Sequence, residues 1–218
     1  MAVPRGAAER GREALARFRK EYGERYSYLR HGTGFQLLVA VILSAQTPDA
    51  LTNKVTPELF RRWPTPHALA RADVDEVRAA IRPVNFSHGK AQRIVDAARM
   101  VEERFGGKVP RAMADLLEIP GVGRKTANVV QGHLFDESEG VGVDTHVKRV
   151  SYRLALTTEE DPEKVETDLN RVFEPRDYPS VNFYFIAHGR AICRARAPKC
   201  SECVVTDVCP KKGVARKT

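Results

Sequence analysis

Four cysteines, Cys193, Cys200, Cys203 and Cys209, stand within residues 193–209, and the chain has no others. Their spacing is C-x6-C-x2-C-x5-C. Thiols gathered in one segment need a common explanation, which is either two disulfides or a metal centre. The run Cys200-Ser201-Glu202-Cys203 leaves little room for independent bridges. The first residues lack an apolar core of signal-peptide length, and no stretch approaches membrane-span length. A reducing, cytoplasmic setting without a membrane is therefore expected, and there metal ligation is the better reading. Four thiolates suit zinc or an iron–sulfur cluster. Structural zinc sites usually use two short C-x2–4-C knuckles, whereas only Cys200 and Cys203 form one here. The outer cysteines make a single compact loop, which favours a cluster with spread ligand positions without excluding zinc. Arg194, Arg196, Lys199, Lys211 and Lys212 surround the loop and would offset a cluster's negative charge.

The 218 residues could form one large domain or two small ones. Hydrophobic content of 42% with only 7% aromatics implies a sizeable core made of Leu, Val, Ile and Ala. The net charge of +8 is consistent with an anionic partner, of which nucleic acid is the commonest. Helical periodicity dominates and strand-like alternation is nearly absent, so the fold expected is all-α with roughly ten helices. The segment from Phe35 to Ser44, FQLLVAVILS, is apolar nearly all round and predicts a buried central helix. Pro48 opens a helix to Arg62, with Leu51, Val55, Leu59 and Phe60 expected on its inner side. Short helices follow after Thr65 and Asp73, then a long one from Gly89 to Phe105 closed by Gly106-Gly107. Further helices are predicted near residues 112–118, 124–135, 145–156, 162–173 and 181–193. An amphipathic helix over residues 9–22 must dock on some other element, and the basic tail from Lys211 to Thr218 is expected to fray.

A second segment, Leu116-Leu117-Glu118-Ile119-Pro120-Gly121-Val122-Gly123-Arg124-Lys125, leads from a short helix through a Pro-Gly-x-Gly turn into another helix. Gly121 and Gly123 permit a tight turn with unusual dihedrals. The N–H groups of the turn and of the next helix's first turn then point outward together, which suits a DNA phosphate. Such a contact positions a duplex without reading its sequence. A bare G-x-G would be an ordinary turn; the apolar flanking helices and Arg124-Lys125 favour DNA.

The hairpin, the segment Val143-Asp144-Thr145-His146-Val147 and the four-cysteine loop, in that order, resemble the endonuclease III family of helix-hairpin-helix DNA glycosylases. Leu43-Ser44-Ala45-Gln46 and His188-Gly189-Arg190 extend the resemblance over nearly the whole chain. It implies a two-domain fold, with a six-helix barrel over residues 30–137 and a discontinuous cluster domain from 1–29 and 138–218. It also implies one 4Fe–4S cluster on the four cysteines and an active site in the cleft between the domains. The implied partner is double-stranded DNA containing damaged pyrimidines or abasic sites, met by a monomer at the nucleoid. Lys125 matches the family's catalytic lysine and Asp144 its catalytic aspartate. The amine must be neutral to attack C1′ of the sugar, and a helix N-terminus, Arg124 and partial burial would lower its pKa. Asp144 also sits where an N-cap is expected, and His146 is expected to pack or to touch phosphate. Gln46 matches the position that fills the hole left by a flipped nucleotide, and Phe86 the wedge position on the other strand. His88, Lys90 and Arg190 are expected phosphate contacts.

Two rivals stand beside that reading. One is the adenine-removing branch of the superfamily, which does not use a lysine at position 125 as nucleophile and carries a further C-terminal domain. The other is a noncatalytic DNA-binding module.

Overall fold

The computed structural model describes residues 3–214. Among them are eleven α-helices, two short 3-10 turns and no strand, in keeping with the all-α expectation. The chain divides into two compact units, Ser27–Phe135 and Met1–Tyr26 together with Asp136–Thr218.

In the unit from Ser27 to Phe135, α2 (Gly34–Ser44) has no charged side chain, so no face of it suits water, and every residue from Leu37 to Leu43 is buried. Thr33 caps it, its hydroxyl accepting from Gln36 N at 3.2 Å. Around α2 pack α3 (Asp49–Arg62), α6 (Ser87–Phe105) and α8 (Arg124–Leu134). The short helices α4 (Pro66–Ala70) and α5 (Val74–Ala80) lie against α6, and α7 (Met113–Glu118) lies against α8. Thr65 and Asp73 cap α4 and α5 with their side-chain oxygens. Gly106, in the left-handed region, ends α6 with its N–H on Val101 O.

The inner face of α3 agrees with the pattern at Val55 and Leu59, and Phe60 packs against the core, but two threonines join it. Thr52, Val55, Thr56 and Leu59 are buried, while Leu51 and Phe60 are only half-buried. Each buried threonine presents a methyl of valine-like shape, but neither hydroxyl finds a partner among the described residues. A simple polarity count passes over such positions because it scores the hydroxyl and not the methyl.

In the other unit, α11 (Tyr178–Ala191) is central, with α1 (Ala7–Tyr22) and α9 (Thr145–Arg153) against it and α10 (Pro162–Val172) against α1. The Phe185 ring meets Phe18 at 5.7 Å and Phe173 at 5.9 Å, both edge-on. Two arginines tie α1 down: Arg10 donates to Leu154 O and Ala155 O, and Arg17 donates to Val204 O at 2.9 Å and to the Asp207 carboxylate. The amphipathic N-terminal helix thus docks on elements from the far end of the sequence. Part of the basic tail is ordered: Lys212 N donates to Arg153 O, and its ammonium lies 4.5 Å from the Tyr152 ring centre. Residues 215–218 of that tail lie outside the described residues.

The approach of α1 to α10 is set by Gly11. A Cβ there would stand 2.7 Å from Val172 Cγ1 and 3.0 Å from Phe173 Cζ. Gly11→Val must push the helices apart and is expected to lower the unfolding free energy by about 1–3 kcal/mol. Urea denaturation of the two proteins measures it, and equal midpoints would show that the contact yields without cost.

Candidate functional site

The hairpin is formed by α7, the turn Pro120 to Gly123, and α8. Val122 is buried beneath it and donates its N–H to Ile119 O at 3.0 Å. Gly121 has φ 86, a conformation that favours glycine, and a Cβ on it would come within 3.0 Å of Ile42 Cγ2. Gly123 departs from expectation. Its φ of −97 and ψ of 175 are open to any residue, so only one of the two glycines is required by the turn. A Cβ at Gly123 would meet nothing within 4 Å. Its lack of a side chain therefore leaves clear space over the N-terminus of α8, where first-turn N–H groups have no intrahelical acceptor.

Arg124 and Lys125 are both exposed in that first turn. Two of the features expected around Lys125, the helix N-terminus and the adjacent guanidinium, are present. The expected partial burial is not, because α8 turns Ala127, Asn128, Val130 and Gln131 inward and leaves position 125 outward.

Two loops of the same unit carry the residues matched to base replacement. Gln46, just past α2, has φ 54, and Phe86, just before α6, has φ 58. Both are exposed, Phe86 by 67%, which excludes a core role for its ring. The loops are joined, since Asn85 Nδ2 donates to Gln46 O at 2.7 Å. His88 is exposed, and Arg78 donates to its Nδ1 at 3.1 Å.

Lys90 corrects the sequence-based expectation of a phosphate contact. It is 3% exposed. Its ammonium donates to Leu43 O at 2.7 Å, Ala45 O at 2.5 Å and Thr47 Oγ1 at 2.9 Å. An ammonium has three donors, so none is left for a phosphate. Burial, and secondarily the nearby Arg93, pushes its pKa down to about 8.

In the other unit Asp144 caps α9, its Oδ1 accepting from His146 N and Val147 N at 2.8 Å each. Both bonds fall on one oxygen, so capping does not consume the whole carboxylate. His146 is half-buried, with Arg149 3.0 Å from its Nδ1, and burial lowers its pKa. Arg190 is exposed in the last turn of α11. Gly189 beside it lets α9 and α11 touch: a Cβ there would be 2.9 Å from His146 Cβ.

The four cysteines line one mostly apolar cavity. Among the described residues, no three His, Cys, Asp or Glu side chains converge as they would on a single metal ion. A space lined by four thiols is consistent with an iron–sulfur cluster. Burial first, with the neighbouring thiols adding to it, pushes the Cys203 and Cys209 thiols up. N–H groups already face the sulfurs: Arg153 lies 3.4 Å from Cys193 Sγ and Lys211 N 3.4 Å from Cys209 Sγ.

Two arginines that sequence reading passed over, Arg149 and Arg153, complete this wall together with His188. Arg149 donates to Cys193 O and Gly189 O, while Arg153 donates to Arg194 O and Ala195 O. Buried His188 stacks on Phe18 at 4.2 Å and lies between Tyr22 OH at 2.8 Å and Cys203 Sγ at 3.4 Å. A thiolate only accepts, so ligation by Cys203 would select the tautomer with hydrogen on Nε2 and make Tyr22 the donor to Nδ1. The available signal was a pair of arginines four apart on a valine-bearing helix.

These features define a class, the base-excision DNA repair proteins of the HhH-GPD superfamily, whose family matches residues 39–175. Residues 193–209 match the iron–sulfur binding domain of endonuclease III. The chain is 46% identical over 202 residues to endonuclease III of Synechocystis sp., covering 93% of this chain and 92% of that one. It is 36% identical over 200 residues to endonuclease III of Escherichia coli, covering 92% and 94%. A solved structure of a trapped endonuclease III–DNA covalent intermediate matches with a TM-score of 0.86 at 35% identity, covering 94% of this chain and 96% of that one. The chain belongs to the endonuclease III family. It is a DNA glycosylase with AP lyase activity and one 4Fe–4S cluster.

The buried lysine yields a pH prediction. Its native pKa of about 8 lies below its ordinary value of 10.5. Between those values the unfolded chain binds a proton that the native protein does not, so this group makes stability rise with pH across the window. Urea titrations from pH 7 to 11 should show wild type gaining stability relative to Lys90→Met over that window. A difference independent of pH would mean that Lys90 titrates as it does in the unfolded chain.

Proposed function

We propose that Lys125 and Asp144 carry the chemistry of this enzyme on duplex DNA containing oxidised pyrimidines or abasic sites. The observation that carries the reading is the exposed Lys125 amine in the first turn of α8, directly after Gly123, where open space stands over a helix N-terminus. A phosphate held by those N–H groups would put the neighbouring sugar beside the amine. That endonuclease III has been trapped in a covalent intermediate with DNA supports a nucleophile in the family.

The damaged nucleotide leaves the stack, Gln46 enters the space it vacates, and Phe86 wedges against the other strand. The neutral Lys125 amine then attacks C1′. The glycosidic bond breaks with its electron pair going to the base, and the nitrogen gives up a proton. Asp144 stabilises the positive charge that develops on the sugar and assists the proton's departure. The C1′–O4′ bond then breaks as the nitrogen lone pair forms the C=N bond, O4′ takes the pair and a proton to become a hydroxyl, and an iminium remains at C1′. Loss of a C2′ proton then expels the 3′ phosphate, which cuts the strand by β-elimination. Hydrolysis of the iminium frees Lys125.

Arg124, Arg190 and His88 serve as backbone contacts in this reading; Lys90 does not. When bound, the cluster supplies iron–thiolate bonds that cross-link the loop. Cys193, Cys200, Cys203 and Cys209 would hold it, and Arg149 and Arg153 brace its start. Exposed Arg194 and Arg196 then face outward toward a phosphate backbone. No helix of the described residues is long and apolar enough to cross a membrane. We assign the enzyme to the cytoplasm, acting as a monomer at the nucleoid.

Borohydride trapping on an oligonucleotide with an oxidised pyrimidine tests the assignment. Wild type should form a covalent adduct and Lys125→Ala none, while duplex affinity changes by less than about tenfold because phosphate contacts persist. Asp144→Asn separates capping from chemistry, since asparagine caps as well as aspartate. It should keep wild-type stability and slow base excision by about 10²–10⁴-fold. A trapped Lys125→Ala adduct, or an Asp144→Asn variant of full activity, would overturn the respective role.

A further inference from the structure

We propose that Lys90 and Asn85 are positioning residues that hold the Gln46 and Phe86 loops together in one preset conformation. The inference rests on the base-replacement reading of Gln46 and Phe86 given above.

Gln46 and Phe86 are both non-glycine residues with positive φ, 54 and 58, a region that disfavours L side chains. Such conformations persist only where the surroundings over-determine them. Neither side chain supplies that support, because both are exposed. The restraint must therefore come through the backbone, and the contacts that supply it come from two side chains. Asn85 Nδ2 donates to the carbonyl of Gln46 itself, at 2.7 Å. The Lys90 ammonium brackets the same residue, donating to Ala45 O before it and Thr47 Oγ1 after it. Lys90 stands in the first turn of α6, whose ordinary backbone bond runs from Lys90 N to Phe86 O at 3.0 Å, so its ammonium ties the start of α6, directly after Phe86, to the Gln46 loop. One residue thus joins the end of the Phe86 loop to the Gln46 loop, and Asn85 closes a second link between them.

The arrangement explains why an ammonium is buried here with only neutral oxygens as partners. α2 has no basic residue in its last turn. Its terminal carbonyls carry partial negative charge; Val41 O, Ile42 O and Ser44 O are met locally, while Leu43 O and the following Ala45 O are met by Lys90. Lys90 supplies both donor and charge from α6, and it does so where the chain must turn sharply to present Gln46. Preset wedges need no reordering at the moment the duplex opens, which lowers the barrier to extrusion rather than the affinity for DNA.

The test uses the full-length enzyme carrying its cluster. Duplexes bear an oxidised pyrimidine with 2-aminopurine beside it, so that unstacking raises fluorescence, and the lesion is either paired or placed in an unpaired bubble. Asn85→Ala and Lys90→Met are compared with Gln46→Ala and Phe86→Ala. On the paired lesion, both positioning variants should lose the fluorescence rise and slow single-turnover excision by about tenfold or more. In the bubble, where no stack must be opened, both should return to within about twofold of wild type. A merely structural role would slow both substrates alike, and that result overturns the proposal. If Lys90→Met fails to fold, Asn85→Ala, at an exposed side chain, decides alone. If Gln46→Ala and Phe86→Ala lose paired-lesion activity while Asn85→Ala and Lys90→Met do not, this inference fails and the wedge reading stands. If all four variants match wild type on the paired lesion, the wedge reading fails and this inference with it.

Discussion

The unit from Ser27 to Phe135 depends on how α2, apolar from Leu37 to Leu43, ends against its own core. Near the end of α2, Val41 O, Ile42 O and Ser44 O are met locally by Ser44 Oγ, Ala45 N and Thr47 N, which leaves Leu43 O and, just past the helix, Ala45 O to be met from elsewhere. Leaving them unmet would carry the desolvation penalty of buried acceptors. The Lys90 ammonium meets Leu43 O and Ala45 O, and by reaching across from α6 it fixes where the chain leaves α2. The hairpin is seated on the same helix, with Gly121 against Ile42. A single buried cation therefore sits under both the helix that supports the hairpin and the loop that carries Gln46.

The other unit solves a comparable problem with arginines. A four-cysteine loop has little regular structure, so its carbonyls need donors from elsewhere. Arg149 and Arg153 supply them from α9, and Arg17 supplies one from α1 at Val204. His188 places a ring nitrogen on Cys203 while its face stacks on Phe18. The basic residues near the loop thus fall into two groups. Those on the helices face inward to the backbone and sulfurs, while Arg194 and Arg196 on the loop remain exposed.

Much of this was legible before any coordinates. Periodicity placed the helices to within a few residues, because an apolar stripe and its caps are local properties. The segments around Gly121, Lys125, Asp144 and the cysteines stand out by residue type and spacing, and together they carry the family resemblance. Lys90 was misread because a lysine beside Ser87, His88 and Gly89 looks like surface, and nothing local shows that α2 needs a donor. Thr52 and Thr56 were missed for a related reason, since burial of a hydroxyl depends on what packs over it. Gly123 was credited with an unusual conformation that its neighbour Gly121 alone adopts.

By itself the sequence determined the elements, the thiol set and the residues available for chemistry, since these follow from short-range patterns of polarity, spacing and residue type. The tertiary structure alone decided which side of each element faces solvent and which donor meets which acceptor. It put Lys125 outside and Lys90 inside, although both are lysines in the first turns of helices. It also bound α1 to loops more than a hundred residues away through Arg10 and Arg17. The physical reason is that burial and hydrogen-bond satisfaction are properties of the packed whole, set by contacts between residues distant in the chain.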